Sequence, residues 1–324
     1  MIWTNIDFKR MAKSSQYPVV IVNDLLGGWM GERTFWNYML DGFPEMIGLD
    51  HKAAGTGREL FEMTARKCIR GMSPDTVIIQ NATYLNKISD ENFTIAFLQD
   101  NLRAMNRRDD VQESVLKTSQ MVVTNSQETA RWYSEFKPVV IPIGIDTRLF
   151  HPLDKEVLRE KYRVPPKAQV GIFVGDFTET KGWSDVKSLI DSHPNIFFII
   201  VSKRKESYDT ANTKCFNRVS QSTLTNLYNC ADFFLLGSPV ETQCLAALEA
   251  GFCGLPIVMK RTGVFMDFDA SQRDSIGVFD NDLSLAFRAV LNNPKQFSPR
   301  ETLLSLDLGI DSMISKWRAL LESI

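Results

Sequence analysis

Histidine is scarce in this chain: only His51, His151 and His193 occur, scattered along 324 residues. Cysteine is sparse and unpaired, with Cys68, Cys215, Cys230, Cys244 and Cys253 forming no CxxC motif. A zinc cluster is therefore not expected, and an odd set of cysteines reads as free, mostly buried thiols in a reducing compartment. Net charge is close to zero, at −2, so the whole-molecule field attracts neither nucleic acid nor anionic lipid. No segment approaches the roughly 20 apolar residues that span a bilayer. The opening stretch MIWTNIDFKRMAKSSQ lacks a charged-then-apolar leader pattern. A cytoplasmic place is expected, with docking on the inner face of a membrane left open. There is no low-complexity tract, no internal repeat, and no GxGxxG fingerprint, so a simple dehydrogenase loses its main support.

What the chain does have is alternation. Short, unbroken apolar runs recur at PVVIVN (18–23), TVIIQ (76–80), FTIAFLQ (93–99), MVVTN (121–125) and VVIPI (139–143), then at AQVGIFVG (168–175), NIFFIIVS (195–202), DFFLLGS (232–238) and GLPIVM (254–259). Runs of this kind suit strands covered on both faces. Between them lie amphipathic stretches such as RELFEMTARKCIRGM (58–72), KGWSDVKSLIDS (181–192) and QCLAALEAGF (243–252). Strands alternating with helices imply parallel βαβ units. The chain is too long for one ordinary core and suits two domains of about 150 residues each. The expected class is α/β, with two Rossmann-like, doubly wound domains facing a central cleft. The change of domain is expected between Ile143 and Pro165, where GIDTRLFHP and a Pro-Pro stop break the pattern. That assigns residues 1–150 to an N-terminal acceptor domain and 151–310 to a C-terminal donor domain. Residues 311–324 read as an amphipathic helix with Met313, Ile314, Trp317, Leu320 and Leu321 on one face, able to cap its own domain or cross back to the first.

The chemistry concentrates in SPVETQCLAALEAGFCGLPIV. Glu241 and Glu249 stand eight residues apart, the first at a strand-to-helix turn and the second on the helix that follows. Eight helical residues rise about 12 Å, roughly the reach from the transferred sugar to the ribose of a nucleotide sugar. Carboxylates accept hydrogen bonds from sugar hydroxyls. The N–H groups of Thr242, Gln243, Cys244 and Leu245, at the expected helix start, would face a diphosphate between them. Taken alone, the same residues also read as an acidic N-cap followed by an ordinary exposed glutamate.

The surroundings of the pair resemble the retaining glycosyltransferases of the large glycogen-synthase-like, GT-B superfamily (glycosyl transferases group 1, family 4 type). The resemblance rests on SQMVVTNSQETA (119–130), IPIGIDTRLFHP (141–152), VGDFTETKGW (174–183), VSQSTLTNLYNCADFFLLGS (219–238) and the two glutamates with EAGFCGLPIV after them, in that order along the chain. It implies that Glu241 lies at the reaction centre beside the donor sugar and that Glu249 accepts from the ribose hydroxyls. It implies that Lys181 neutralises the diphosphate and that Gly175 lets backbone approach it. Arg218 and Val219 would edge the base pocket through their backbone. In the first domain, Gly27 and Gly28 would lie beside the phosphates and the acceptor, with Gln99 and Asp100 lining the cleft. Gln99 stands where many members carry a histidine, which limits it to hydrogen bonding.

The chain departs from that pattern in places. Asp176 follows Gly175 where an arginine is usual, with Lys203, Arg204 and Lys205 the nearest candidates to compensate. Thr242 and Cys244 replace glycines. The implied reaction is transfer of a hexose, with retention, from a nucleotide-diphosphate sugar to an acceptor hydroxyl. A UDP-sugar ranks first and a GDP-sugar second. The donor is a co-substrate, and neither a cofactor nor a metal is expected. The acceptor is expected to be a glycan or lipid-linked sugar, with peripheral membrane contact through basic and apolar neighbours in TARKCIRGM or NLRAMNRR. The alternatives are a DNA base or protein side chain as acceptor, or a non-catalytic member that binds nucleotide sugar.

Overall fold

The computed structural model describes residues 19–23, 31–44, 46–50, 58–83, 85–107 and 109–324. The chain divides into two compact units, Met1–Pro142 with Ile314–Ile324, and Ile143–Met313.

The first unit is built on a six-stranded sheet. Its strands are β1 (Val19–Asn23), β2 (Ile47–Asp50), β3 (Val77–Asn81), β4 (Thr94–Leu98), β5 (Met121–Thr124) and β6 (Val139–Val140). The order is β2-β1-β3-β4-β5-β6 with every pairing parallel. β3 and β4 are buried at every residue, as their unbroken apolar runs predict. On one side an aromatic group of Phe35, Trp36, Phe97 and Trp317 is fully buried. The Phe35 and Phe97 rings lie 4.4 Å apart, and those of Phe97 and Trp317 lie 5.6 Å apart. Trp317 comes from the last helix, Ile310–Glu322, which belongs to this unit from Ile314 onward. The next residue of that helix, Arg318, donates to the Gly42 carbonyl at 3.2 Å and stacks over Phe43 at 4.7 Å.

The second unit holds β7 (Gln169–Val174), β8 (Ile196–Ser202), β9 (Thr213–Asn217), β10 (Phe233–Leu236), β11 (Ile257–Met259) and β12 (Gly277–Phe279). Their order is β12-β11-β10-β7-β8-β9, again all parallel. Numbered within the unit, this is the doubly wound order 3-2-1-4-5-6. The helices between them start where polar caps stop the chain from extending. Asp154, Ser220 and Asp282 each accept from backbone N–H groups in the first turn of the helix they precede. The exit from the first unit is fixed by Ile145, which bridges to Gly309 and donates to the Leu308 carbonyl at 2.9 Å.

The fold class read from the sequence holds: two parallel α/β sheets with helices. Among the described residues no helix is long and apolar enough to cross a membrane.

Candidate functional site

In an open, doubly wound sheet the ligand crevice lies beyond the C-terminal ends of the strands, where the winding reverses. In the second unit that point falls between β7 and β10. The loops leaving these strands, 175–182 and 237–244, carry most of the residues singled out from the sequence.

Two glycines bring the loops together. Gly182 has φ +63°, a left-handed conformation natural only to glycine, and ends the short turn Glu179–Lys181. Its backbone packs against that of Gly237, so closely that a Cβ on Gly237 would lie 2.6 Å from the Gly182 carbonyl oxygen. This backbone contact sets Lys181 opposite Glu241. The Lys181 Nζ lies 2.7 Å from Glu241 Oε1, and the Ser238 hydroxyl donates to the same oxygen at 2.7 Å. The Glu241 N–H is held by Thr262 Oγ1 at 2.8 Å, so both ends of the residue are fixed. Burial works against the charge of Lys181, but the attraction of Glu241, with Cys244 and Asp176 behind it, outweighs that and raises its pKa.

The turn after Glu241 differs from the expected helix start. The helix runs Leu245–Phe252, and Cys244 at its N-cap has φ +66°. That left-handed residue delays the first helical turn, so Thr242, Gln243 and Cys244 lie ahead of the helix rather than in it. Glu241 and Glu249 are therefore not separated by eight helical residues, and the 12 Å reading does not apply. The Gln243 side chain is occupied as well: its Oε1 accepts from Ile143 N–H and its Nε2 donates to the Ile143 carbonyl, both at 2.8 Å. Leu245 opens the helix half-buried, and the Cys244 thiol is buried, which pushes its pKa far up and makes it inert.

Glu249 is buried on that helix, and the Tyr228 hydroxyl donates to its Oε2 at 3.0 Å. Burial pushes the carboxyl up to about 8, against the opposing effect of the Tyr228 bond. It is thus not the exposed glutamate of the simpler reading.

Gly175 donates its N–H to the Val201 carbonyl at 2.9 Å. Asp176 is buried, with Arg204 Nε at 3.3 Å and Lys203 Nζ at 3.5 Å from its Oδ2. Its Oδ1 accepts from Ser202 at 3.1 Å. Of the three candidates named from sequence, Lys203 and Arg204, on the segment after β8, are the two that pair with Asp176. Arg218 is exposed with φ +53° and donates from Nε to the Lys203 carbonyl at 3.1 Å, while Val219 packs against the core.

The first unit's strand order reverses at β1 and β3. Gly27 and Gly28 follow β1 but lie outside the described residues. At the end of β4 Gln99 is buried with no partner for its Nε2 among the described residues, and Asn81 Nδ2 lies 3.5 Å from its Oε1. Asp100 beside it is part-buried, and its carbonyl accepts from Gln112 at 3.3 Å.

Sequence reasoning missed Ser238, Thr262, Tyr228 and Asn81. Each acts through a neighbour brought in by the fold; Tyr228 and Ser238 lie in segments already singled out, but nothing there marks these two side chains. The chain also holds two Asp-x-Asp triplets, ending at Asp269 and Asp282. Both of these aspartates serve as helix N-caps.

Residues 154–296 match the model of the family described as Glycosyl transferases group 1. The matched domain lies within the second unit. This domain contains the β7 and β10 loops, Lys181, Glu241 and Glu249. The chain is 26% identical over 169 residues to a D-inositol 3-phosphate glycosyltransferase of Segniliparus rotundus. That match covers 45% of this chain and only 38% of the relative. Among solved structures it resembles sucrose-phosphate synthase from Thermosynechococcus elongatus, with TM-score 0.75, 14% identity, and 95% and 99% of the two chains covered. It also resembles the Anabaena protein Alr3699/HepE in complex with UDP-glucose, with TM-score 0.77, 13% identity, and 95% and 100% covered. At such identities the likeness is one of fold, and the fold is that of GT-B glycosyltransferases.

Proposed function

We propose that this protein transfers a hexose, with retention of anomeric configuration, from a nucleotide-diphosphate sugar to an acceptor hydroxyl. The single observation that carries the proposal is the Lys181–Glu241 pair at 2.7 Å, placed at the winding reversal of a group 1 domain with Glu249 buried on the helix behind it. A fixed ammonium stabilises the charge that builds on the departing diphosphate, which is where a preorganised cation contributes most. Glu241, fixed at both its N–H and its carboxylate, accepts from hydroxyls of the donor sugar. Glu249 accepts from the ribose, assisted by Arg218 and Val219 at the base. The turn Thr242–Leu245 offers backbone N–H groups to the phosphates, and Gly175, whose own N–H is taken by the Val201 carbonyl, lets the backbone approach them closely. No metal takes part in donor binding.

UDP-sugars rank first as donor, because Alr3699/HepE is seen with UDP-glucose, and GDP-sugars second. The acceptor proposed is a glycan or lipid-linked sugar; the name of the 26%-identical relative points instead to an inositol phosphate as a second class to test. Gln99, whose Nε2 has no partner among the described residues, and Asp100 are suited to its hydroxyls.

The test is a thermal-shift screen with UDP-, GDP-, ADP- and dTDP-hexoses, followed by measurement of nucleoside diphosphate release. A ligand at 100 times its dissociation constant stabilises the fold by about 2.7 kcal/mol. Release that disappears in Glu241→Ala supports transfer chemistry. Binding without any release marks a non-catalytic nucleotide-sugar binder, and no shift with any donor sinks the proposal.

A further inference from the structure

Electrostatics at the crevice present a problem that Lys181 does not solve. Its charge is matched by Glu241 at 2.7 Å, and Asp176 adds a buried negative charge one residue past Gly175. Without other cations this corner is net negative, and a diphosphate would be repelled from it.

Two cations come from a different strand. Lys203 and Arg204 follow β8, the neighbour of β7, and both reach Asp176 Oδ2, at 3.5 and 3.3 Å. Their side chains are about half exposed, whereas the Asp176 carboxylate is almost covered. Asp176 therefore holds the inner side of two charged heads whose outer sides face water. The segment is itself fixed. Ser202 Oγ lies between two carboxylates, 2.8 Å from Glu206 Oε2 and 3.1 Å from Asp176 Oδ1, and accepts the Arg204 N–H at 3.1 Å, while Arg218 donates to the Lys203 carbonyl.

We infer that Lys203 and Arg204, held by Asp176, bind the diphosphate of the donor, so that the cation missing after Gly175 is supplied from the end of β8. The inference rests on the proposed donor reading. Arg204 engages Asp176 through Nε, and a guanidinium has five N–H donors, enough to serve a carboxylate and a phosphate together. Asp176 thereby acts as the holder of two phosphate ligands rather than as a ligand itself.

The experiment compares dissociation constants for UDP, GDP, ADP and dTDP, and for the nucleoside of whichever binds, in the intact chain and in Lys203→Ala/Arg204→Ala. The diphosphate is expected to bind about tenfold or more weakly in the double variant, the loss of one or two charge-assisted contacts. The nucleoside is expected to bind within twofold of the intact chain. Lys205→Ala, which removes an exposed neighbouring charge, tests for a general field and is expected to change neither. Both altered side chains are half exposed, and unchanged melting confirms the fold. Equal diphosphate affinity in the double variant, or an equal loss in Lys205→Ala, overturns the inference and leaves the donor reading intact. If the intact chain binds none of the four diphosphates, the donor reading fails and the inference with it.

Discussion

The side-chain amide of Gln243 satisfies both backbone groups of Ile143, one hundred residues earlier, through two buried bonds of 2.8 Å. Ile143 is the first residue of the second unit, and Gln243 lies two residues past Glu241. The loop that carries a site carboxylate is thus pinned to the point where the chain enters the unit.

Gln243→Ala leaves a buried N–H and a buried C=O without partners. Each costs about 1–3 kcal/mol, so a loss of roughly 2–4 kcal/mol in urea unfolding is expected. Gln243→Met fills most of the volume but makes neither bond, and is expected to be nearly as unstable. Recovery of stability by methionine would show that packing, not the amide, matters here.

Lys181 and Ser238 both point at Glu241 Oε1, which links a loop cation to the carboxylate proposed to lie nearest the reaction. If Lys181 stabilises a leaving diphosphate, Lys181→Ala lowers kcat by about 10²–10³, the range for removal of one preorganised donor. Ser238→Ala leaves the ion pair in place and is expected to be far milder. Steady-state kinetics of nucleoside diphosphate release check both, and a Lys181→Ala effect confined to KM would remove Lys181 from the chemical step.

The sequence made the central strands legible and most outer ones not. β3, β4, β7, β8 and β10 are covered on both faces and read as unbroken apolar runs. β2, β9 and β12 stand at sheet edges, where water reaches one side; TKCFN is only part-buried along most of its length. No apolar run announces these three, whereas β6, at the other edge of the first sheet, is announced by VVIPI. At the site, Lys181, Glu241 and Glu249 stood out because their types and order carry chemistry. Tyr228, Thr262 and the clasp of Gln243 could not be read, because each depends on contacts between distant segments. The helix start after Glu241 was misplaced because nothing in TQCL signals that Cys244 takes a left-handed backbone, a conformation a cysteine rarely adopts.

Gly182 meets two demands at once, a φ of +63° and backbone contact with Gly237. Gly182→Ala adds a Cβ that overlaps the Gly237 carbonyl, and neither loop can retreat without separating Lys181 from Glu241. The left-handed conformation alone costs about 1–2 kcal/mol for a residue with a side chain. The overlap adds to this, so a loss above that range is expected in urea unfolding, with donor binding weakened in parallel. A variant as stable as the parent would show that the loops are free to separate.

Glu249 sets the last expectation, through pH. Its carboxyl is pushed by burial from 4.5 to about 8 in the folded chain. Below 4.5 both folded and unfolded chains hold this proton, so it contributes no slope there. Between 4.5 and 8 the folded chain keeps a proton that the unfolded chain releases. Stability therefore falls as pH rises through that window and levels off above it. At one pKa unit per about 1.4 kcal/mol the full effect is roughly 4–5 kcal/mol. Glu249→Gln does not titrate and still offers an oxygen to Tyr228, so its stability relative to the parent should rise steadily from pH 5 to pH 8 in urea unfolding. Tyr228→Phe removes a bond that favours the charged carboxylate, and moves the upper edge of the window higher. Parallel pH profiles for the parent and Glu249→Gln would mean that Glu249 ionises at its ordinary pH despite its burial.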